Sequence, residues 1–226
     1  MCRQFITAGK MSGLSKLLKS IYNEDIKIKI LDEIRKEEEN LEEEIEKEIE
    51  EQKKHKKDSE VYDAVLTHNI PVIAYDEGGK FITEMKWGIM FDPAKKTPLI
   101  FNSRDDTIGM KPFWKNLFDK NRILIPMTGF YEWKDIGQKK KLKIKIVLKR
   151  KEIFFVPGLY RRNKEGKLEF SLVTTSPSSF LKEIHNRMPV ILNDDSVLNY
   201  FTDSLEENLA KLKPSQEEII TEELLS

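Results

Sequence analysis

A chain of 226 residues that is 39% hydrophobic, with twelve Phe and three Trp, is long and apolar enough to bury one core, which excludes a disordered chain. Its 39 Lys and Arg cancel 39 Asp and Glu, so no overall field draws in a polyanion and any nucleic-acid contact needs a local basic patch. One Cys excludes an internal disulfide framework and a cysteine-based zinc site, and His55, His68 and His185 lack metal-ligand spacing. No run approaches the roughly 18 apolar residues of a membrane span, and the N-terminus is too polar for a signal peptide. The expectation is a soluble cytoplasmic protein, monomeric, without metal or cofactor.

The chain opens MCRQF, with its sole cysteine directly behind the first methionine. Termini tolerate almost anything, and a free Cys is often only a small hydrophobe. The alternative is that Cys2 becomes residue one: cysteine is small enough for methionine removal, which leaves an α-amine and a thiol on the same residue. Helices are expected over 10–21, 112–120, 178–185 and 194–212. Between 24 and 60 the composition turns almost wholly charged, with Leu31, Ile34, Leu41, Ile45 and Ile49 forming one narrow stripe at helical spacing. That pattern predicts a solvated helical insertion lying over the domain. A coiled-coil contact lacks clean heptads, and an acidic strip shielding a basic groove is a third use.

From Val61 onward the pattern turns to strands. NIPVIAYDEGGKFITEMKWGIMF reads as two apolar runs around a turn, and NRILIPMTGFYEW as another buried strand. In LKIKIVLK, Leu142, Ile144, Ile146 and Leu148 alternate with Lys143, Lys145 and Lys149, giving one core face and one basic face. EIFFVPGLY and LEFSLVTTS then continue the chain as a meander. The predicted fold is α+β: a single domain over 1–226, with a mixed, mostly antiparallel, barrel-like β core flanked by helices and the acidic insertion at 24–60. There are no internal repeats and no linker.

Four stretches place polar residues where strands should end: MCRQF, FNSRDDT, GFYEWK and HNRMPVIL. Each has a bland reading. Asn102 suits a turn and Arg104 a surface. Glu132, between Tyr131 and Trp133, is an odd place for a carboxylate, because buried carboxylates are rare unless paired or functional. Pro189 should end the local helix and hold His185 at its terminus. Trp87 and Trp114 fit a core better than a stacking surface.

Taken in order, Met1–Cys2, Trp87–Gly88, Asn102-x-Arg104, Gly129–Lys134, Gly158–Tyr160, Val173–Thr175 and His185–Pro189 form a set. That set resembles the SRAP family, the abasic-site processing proteins once called SOS-response-associated peptidases, over all of the chain except 24–60. The resemblance implies a mature protein that begins at Cys2 and attacks the ring-opened aldehyde of an abasic deoxyribose in single-stranded DNA, forming a covalent thiazolidine crosslink. It implies Asn102, Glu132 and His185 as the remaining catalytic residues and Arg104 as a phosphate ligand. Arg3, Arg187, Trp87, Thr174, Met188 and Pro189 are then candidates for the DNA-binding surface. It also implies removal of the protein's own methionine as a thiol autopeptidase, with a lyase-like activity. The chain departs from the family at Arg3–Gln4, where Gly-Arg is usual, at Asp106–Thr107, and at Lys115.

The chemistry of an N-terminal cysteine explains why such a protein would need it. An α-amine titrates near 7.7–8.0 and a thiol near 8.5, so part of the amine is nucleophilic at neutral pH. It condenses with the aldehyde, and the neighbouring thiol closes the ring intramolecularly. His185 is the natural shuttle for opening the sugar ring, Glu132 a desolvated base for the amine, and Asn102 a donor to the developing oxyanion. Arg3 and the lysines of 139–151 are expected to help hold phosphate, the lysines serving equally well as a solvated strand face. Two other classes compete: a peptide hydrolase with Cys2 as nucleophile, and a scaffold in which Cys2 is incidental.

Overall fold

Apolar alternation and turn chemistry set the strands; their partners come from long-range pairing. A computed structural model describes residues 2–8, 11–22, 27–28, 61–91 and 97–224. The strands are β1 Gln4–Ala8, β2 Lys27–Ile28, β3 Val61–Val65, β4 Asn69–Asp76, β5 Gly79–Trp87, β6 Asn102–Arg104, β7 Arg122–Met127, β8 Gly129–Asp135, β9 Lys141–Leu148, β10 Phe154–Arg162, β11 Leu168–Thr175, β12 Met188–Pro189 and β13 Ile219–Leu224. The helices are α1 Met11–Tyr22, α2 Asp105–Ile108, α3 Pro112–Lys120, α4 Asp194–Asn199 and α5 Leu205–Ala210.

One sheet runs β13-β9-β8-β1-β3 and the other β12-β11-β10-β7-β4-β5-β2. A parallel pairing of β11 with β5, Glu169 to Lys86 and Phe170 to Trp87, closes β5-β4-β7-β10-β11 into a five-stranded mixed barrel. The expected α+β, barrel-like core is the one observed. Gly88 makes the closure possible. Its φ is +119°, its N–H donates to the Phe170 carbonyl at 2.8 Å, and a Cβ there would lie 2.7 Å from the Leu99 side chain. Only glycine satisfies both the backbone and the space.

Phe5, Trp87, Phe130, Phe154 and Phe170 fill one apolar cluster, and Leu14, Leu18, Phe118, Phe155 and Tyr200 fill a second. In β9 the predicted alternation holds at Ile144, Ile146 and Leu148, which are buried.

Several expectations change. β9 does not continue into β10 as a meander: β9 pairs with β8 and β13, whereas β10 crosses to pair β7 and β11. Alternation says which face of β9 is apolar and nothing about its neighbours. The segment 178–185 is a set of turns, with Leu181 and Lys182 N–H donating to Ser178 and His185 N–H to Leu181. The chain must reverse there so that β12 can pair with β11. The expected helix over 194–212 splits into α4 and α5, because Ser204 starts afresh with a capping box: Glu207 N–H donates to Ser204 Oγ at 3.2 Å and Ser204 N–H to Glu207 at 2.8 Å. Within the expected helical insertion, Lys27–Ile28 is a strand parallel to β5; the rest of 24–60 lies outside the described residues.

Candidate active site around Cys2

β1 lies antiparallel to β8, with Phe5 opposite Phe130 and Ile6 opposite Gly129, so the chain before Phe5 runs toward Glu132. Cys2 is buried at 1% exposure, and its thiol donates to the Gln4 carbonyl at 3.5 Å. β6 runs parallel to β11 and brings Asn102 from 100 residues away, so that its Nδ2 donates to the Cys2 carbonyl at 3.0 Å. Asn102 Oδ1 is buried without a hydrogen-bond partner among the described residues.

Glu132 is also 1% exposed, and Oε2 lies 3.8 Å from His185 Nε2. His185 Nδ1 lies 3.1 Å from the Arg187 N–H and 3.3 Å from the Arg187 carbonyl, which anchors the ring with Nε2 toward Glu132. Four residues separated along the chain thus share one place. Their acid–base properties are displaced to match. Burial raises the Glu132 carboxyl to about 7. Burial, then the Glu132 charge, pushes the Cys2 thiol well above its ordinary range. Burial, with Lys141 adding to it, lowers His185 below the usual imidazole value. Opposed shifts of this kind in adjacent groups mark a site able to exchange protons near neutral pH.

The residues expected on a DNA surface divide. Arg3 is exposed, 5.7 Å from the Phe101 ring centroid, and close enough to Glu132 to oppose its rise in pKa. Arg104 is half exposed and grips Asp106, its Nε donating to Oδ1 at 3.0 Å. Arg187 is turned inward: Nη2 meets Asp105 at 2.7 Å, the Thr174 hydroxyl at 3.2 Å and the Thr174 carbonyl. Asp105 in turn accepts from Thr175 Oγ1 at 2.7 Å.

Trp87, Thr174, Met188 and Pro189, also expected on the DNA surface, are buried in this structure. Trp87 donates its indole N–H to the Phe101 carbonyl at 2.9 Å and packs edge-on against Phe5, 4.7 Å between centroids. It supports the strand that carries Cys2. Thr174 pairs with Pro189 in the β11–β12 ladder, and Met188 Sδ accepts from Ser178 N–H at 3.2 Å. These residues fix the turn that carries His185.

Two contributors give no signal in the sequence. Asp105, the counter-charge of Arg187, lies 82 residues from it and sits in an ordinary acidic pair. Asp63 of β3 accepts from Gln4 and from the Tyr131 hydroxyl, both at 2.9 Å, and so ties β1 to β8 beside the site. Among the described residues no three His, Cys, Asp or Glu side chains could hold a metal ion, and no helix is long and apolar enough to cross a membrane. A separate cleft of about 660 Å³ beside Asn193, Ser196, Lys211 and Gln216 shares no residue with this site.

The family model described as SOS response associated peptidase (SRAP) matches residues 33–224. The chain belongs to the SRAP family. Abasic site processing protein YobE of Bacillus subtilis is 32% identical over 142 residues, covering 60% of this chain and 65% of the relative. Abasic site processing protein YMR114C of Saccharomyces cerevisiae is 29% identical over 157 residues, covering 64% and 42%. The chain therefore spans under two thirds of the length of these SRAP relatives. The fold is shared with a crystal structure of a protein from Bacteroides thetaiotaomicron, with a TM-score of 0.73 at 20% identity over 99% of this chain and 92% of that one. A phage-related protein from Bordetella bronchiseptica gives a TM-score of 0.68 at 15% identity over 100% and 95%.

Proposed function

We propose that this SRAP protein processes abasic sites by capturing them, as a thiazolidine formed by an N-terminal Cys2 with the ring-opened sugar in single-stranded DNA. The observation that carries this reading is the convergence of buried Cys2 and Glu132 with half-buried Asn102 and His185. The names of its relatives support the substrate.

Removal of Met1 exposes the Cys2 α-amine. His185, neutral at physiological pH, takes the proton of the anomeric hydroxyl and delivers a proton to the sugar ring oxygen as the ring C–O bond breaks, so that the aldehyde forms and the imidazole ends neutral. The amine adds to the aldehyde carbon, Glu132 relays one ammonium proton to the alkoxide to give a carbinolamine, and it then relays the remaining nitrogen proton to that hydroxyl, which leaves as water to give the imine. The imine carbon is then attacked by Sγ of the same residue; the C–S bond forms, and the thiol proton passes to the nitrogen. One water is lost overall, and nothing is oxidised or reduced. Asn102, fixed on the Cys2 carbonyl, keeps the aminothiol in reach, so ring closure proceeds at high effective concentration. Arg104 and Arg3 hold phosphate, and single strands are favoured because the sugar must be reachable.

Intact-mass analysis with and without an abasic single-stranded oligonucleotide tests the reading. The expected result is a chain lacking methionine that gains one oligonucleotide less one water, stoichiometrically. An adduct on a chain that keeps its methionine, or a trimmed chain that stays unmodified, would refute it. Repeated cleavage of added peptides without an adduct would move the activity to a thiol peptidase.

A further inference from the structure

The lysine-rich strand is not one continuous basic face, because the fold divides it. Acidic residues answer its shaft: Lys145 is 3.5 Å from Glu222, Lys149 is 3.2 Å from Glu218, and Lys151 lies 3.0 Å from Asp194 and 3.6 Å from Glu217. Lys143 lies over the Tyr131 ring, 4.1 Å from its centroid. Glu222 of β13, which pairs with β9, and the acidic residues just before β13 thus neutralise lysines along and beyond β9.

The tip of the β8–β9 hairpin differs. Gly137, Gln138 and Lys139 take positive φ values of 85°, 52° and 62°, and Lys140 N–H donates to the Gly137 carbonyl at 2.9 Å. This tight turn presents Lys139, Lys140 and Lys141 side by side, all exposed, with no ion pair among the described residues. It also borders the active site. Lys141 pairs with Asp135, three residues along β8 from Glu132, which is roughly 10 Å. Lys141 also acts electrostatically on His185.

We propose that Lys139, Lys140 and Lys141 form a phosphate clamp that holds the backbone of single-stranded DNA on the Glu132–His185 side of the lesion. The inference rests on the abasic-site reading for its ligand. It assigns a positioning role to a hairpin tip separate from Arg104 on β6, and it gives acidic β13 the part of neutralising a lysine further along the hairpin. Three exposed ammonium groups on one hairpin tip bind a polyanion chiefly by counterion release, so the effect must appear in the salt dependence.

Fluorescence anisotropy of the full chain with a labelled, undamaged oligothymidylate measures this from about 50 to about 200 mM NaCl. The triple variant Lys139→Ala/Lys140→Ala/Lys141→Ala is expected to bind about tenfold more weakly at the low end. Its log–log salt slope should be shallower by about 2, at about 0.7 for each phosphate no longer neutralised. Lys145→Ala/Lys149→Ala should leave the slope unchanged. A wild-type slope in the triple variant, or an equal effect from the Lys145/Lys149 pair, overturns the proposal. The probe carries no aldehyde. Wild-type protein that binds it yet never forms an adduct with abasic DNA therefore counts against covalent capture alone, while the slopes still decide the clamp.

Discussion

Nε2 of His185 stands 3.8 Å from Oε2 of Glu132, beyond hydrogen-bond reach yet near enough for the charge state of one to bear on the other. Burial drives the pair in opposite directions, the carboxyl up to about 7 and the imidazole below its usual value. Near neutral pH the imidazole is uncharged and the carboxyl is close to half ionised, so the pair can both take up and release a proton.

Glu132 should weaken the fold at alkaline pH. Its folded pKa, about 7, exceeds the ordinary carboxyl value, so the folded state binds the proton more tightly and stability falls as pH rises between the two values. The loss, complete above the folded pKa, is about 3 kcal/mol. Glu132→Gln is expected to raise the urea midpoint at pH 8 and leave it unchanged at pH 4, while adduct formation slows. Equal midpoints at pH 8 would show that the carboxyl ionises freely in the fold.

Asn102 tethers the residue that reacts. Asn102→Ala removes the donor to the Cys2 carbonyl, and loss of a hydrogen bond of about 1–3 kcal/mol corresponds to adduct formation about tenfold to hundredfold slower. The single-turnover rate at saturating abasic DNA measures it. Noncovalent affinity for undamaged DNA should be preserved, and a variant that loses affinity but not rate would place Asn102 on the DNA instead.

The two arginines should separate in their effects. Arg187 is buried on Asp105 and Thr174, and Arg187→Ala leaves that carboxylate uncompensated. A cost of about 3 kcal/mol is expected in chemical denaturation. Arg104 pairs with Asp106 in solvent, so Arg104→Ala should leave stability unchanged and reduce DNA affinity. Exchanged outcomes would reverse the assignment of structural and phosphate-binding roles.

Trp87 packs inside, against the strand that carries Cys2. Trp87→Phe removes the indole donor to Phe101 and is expected to cost about 1 kcal/mol, whereas Trp87→Ala should cost about 3–5 kcal/mol through the cavity it opens. Neither should change the preference for bases flanking the lesion. A folded Trp87→Phe protein with altered base preference would return the indole to the DNA surface.

Much of the site was legible because its residues cluster in short motifs whose oddities are chemical. Glu132 between two aromatic residues is costly unless used, and a cysteine at position 2 is of special value only with its own amine. Glycine in the Gly158-Leu159-Tyr160 motif also has a readable reason. A Cβ at Gly158 would stand 2.9 Å from Ile123 and Ile125 of the neighbouring strand. What could not be read was pairing. No local feature says that Asp105 answers Arg187, that β13 covers the lysines of β9, or that Thr174 and Met188 face inward rather than toward a ligand.

By itself, the order of residues determined the apolar faces of the strands, the turn positions and the chemical inventory, since side-chain periodicity and backbone preference act over a few positions. The tertiary structure decided which charges are available. Lys145 and Lys139 are alike in sequence, and only the strand laid beside one of them makes it an ion pair, because a charge is neutralised by what stands within a few ångströms in space.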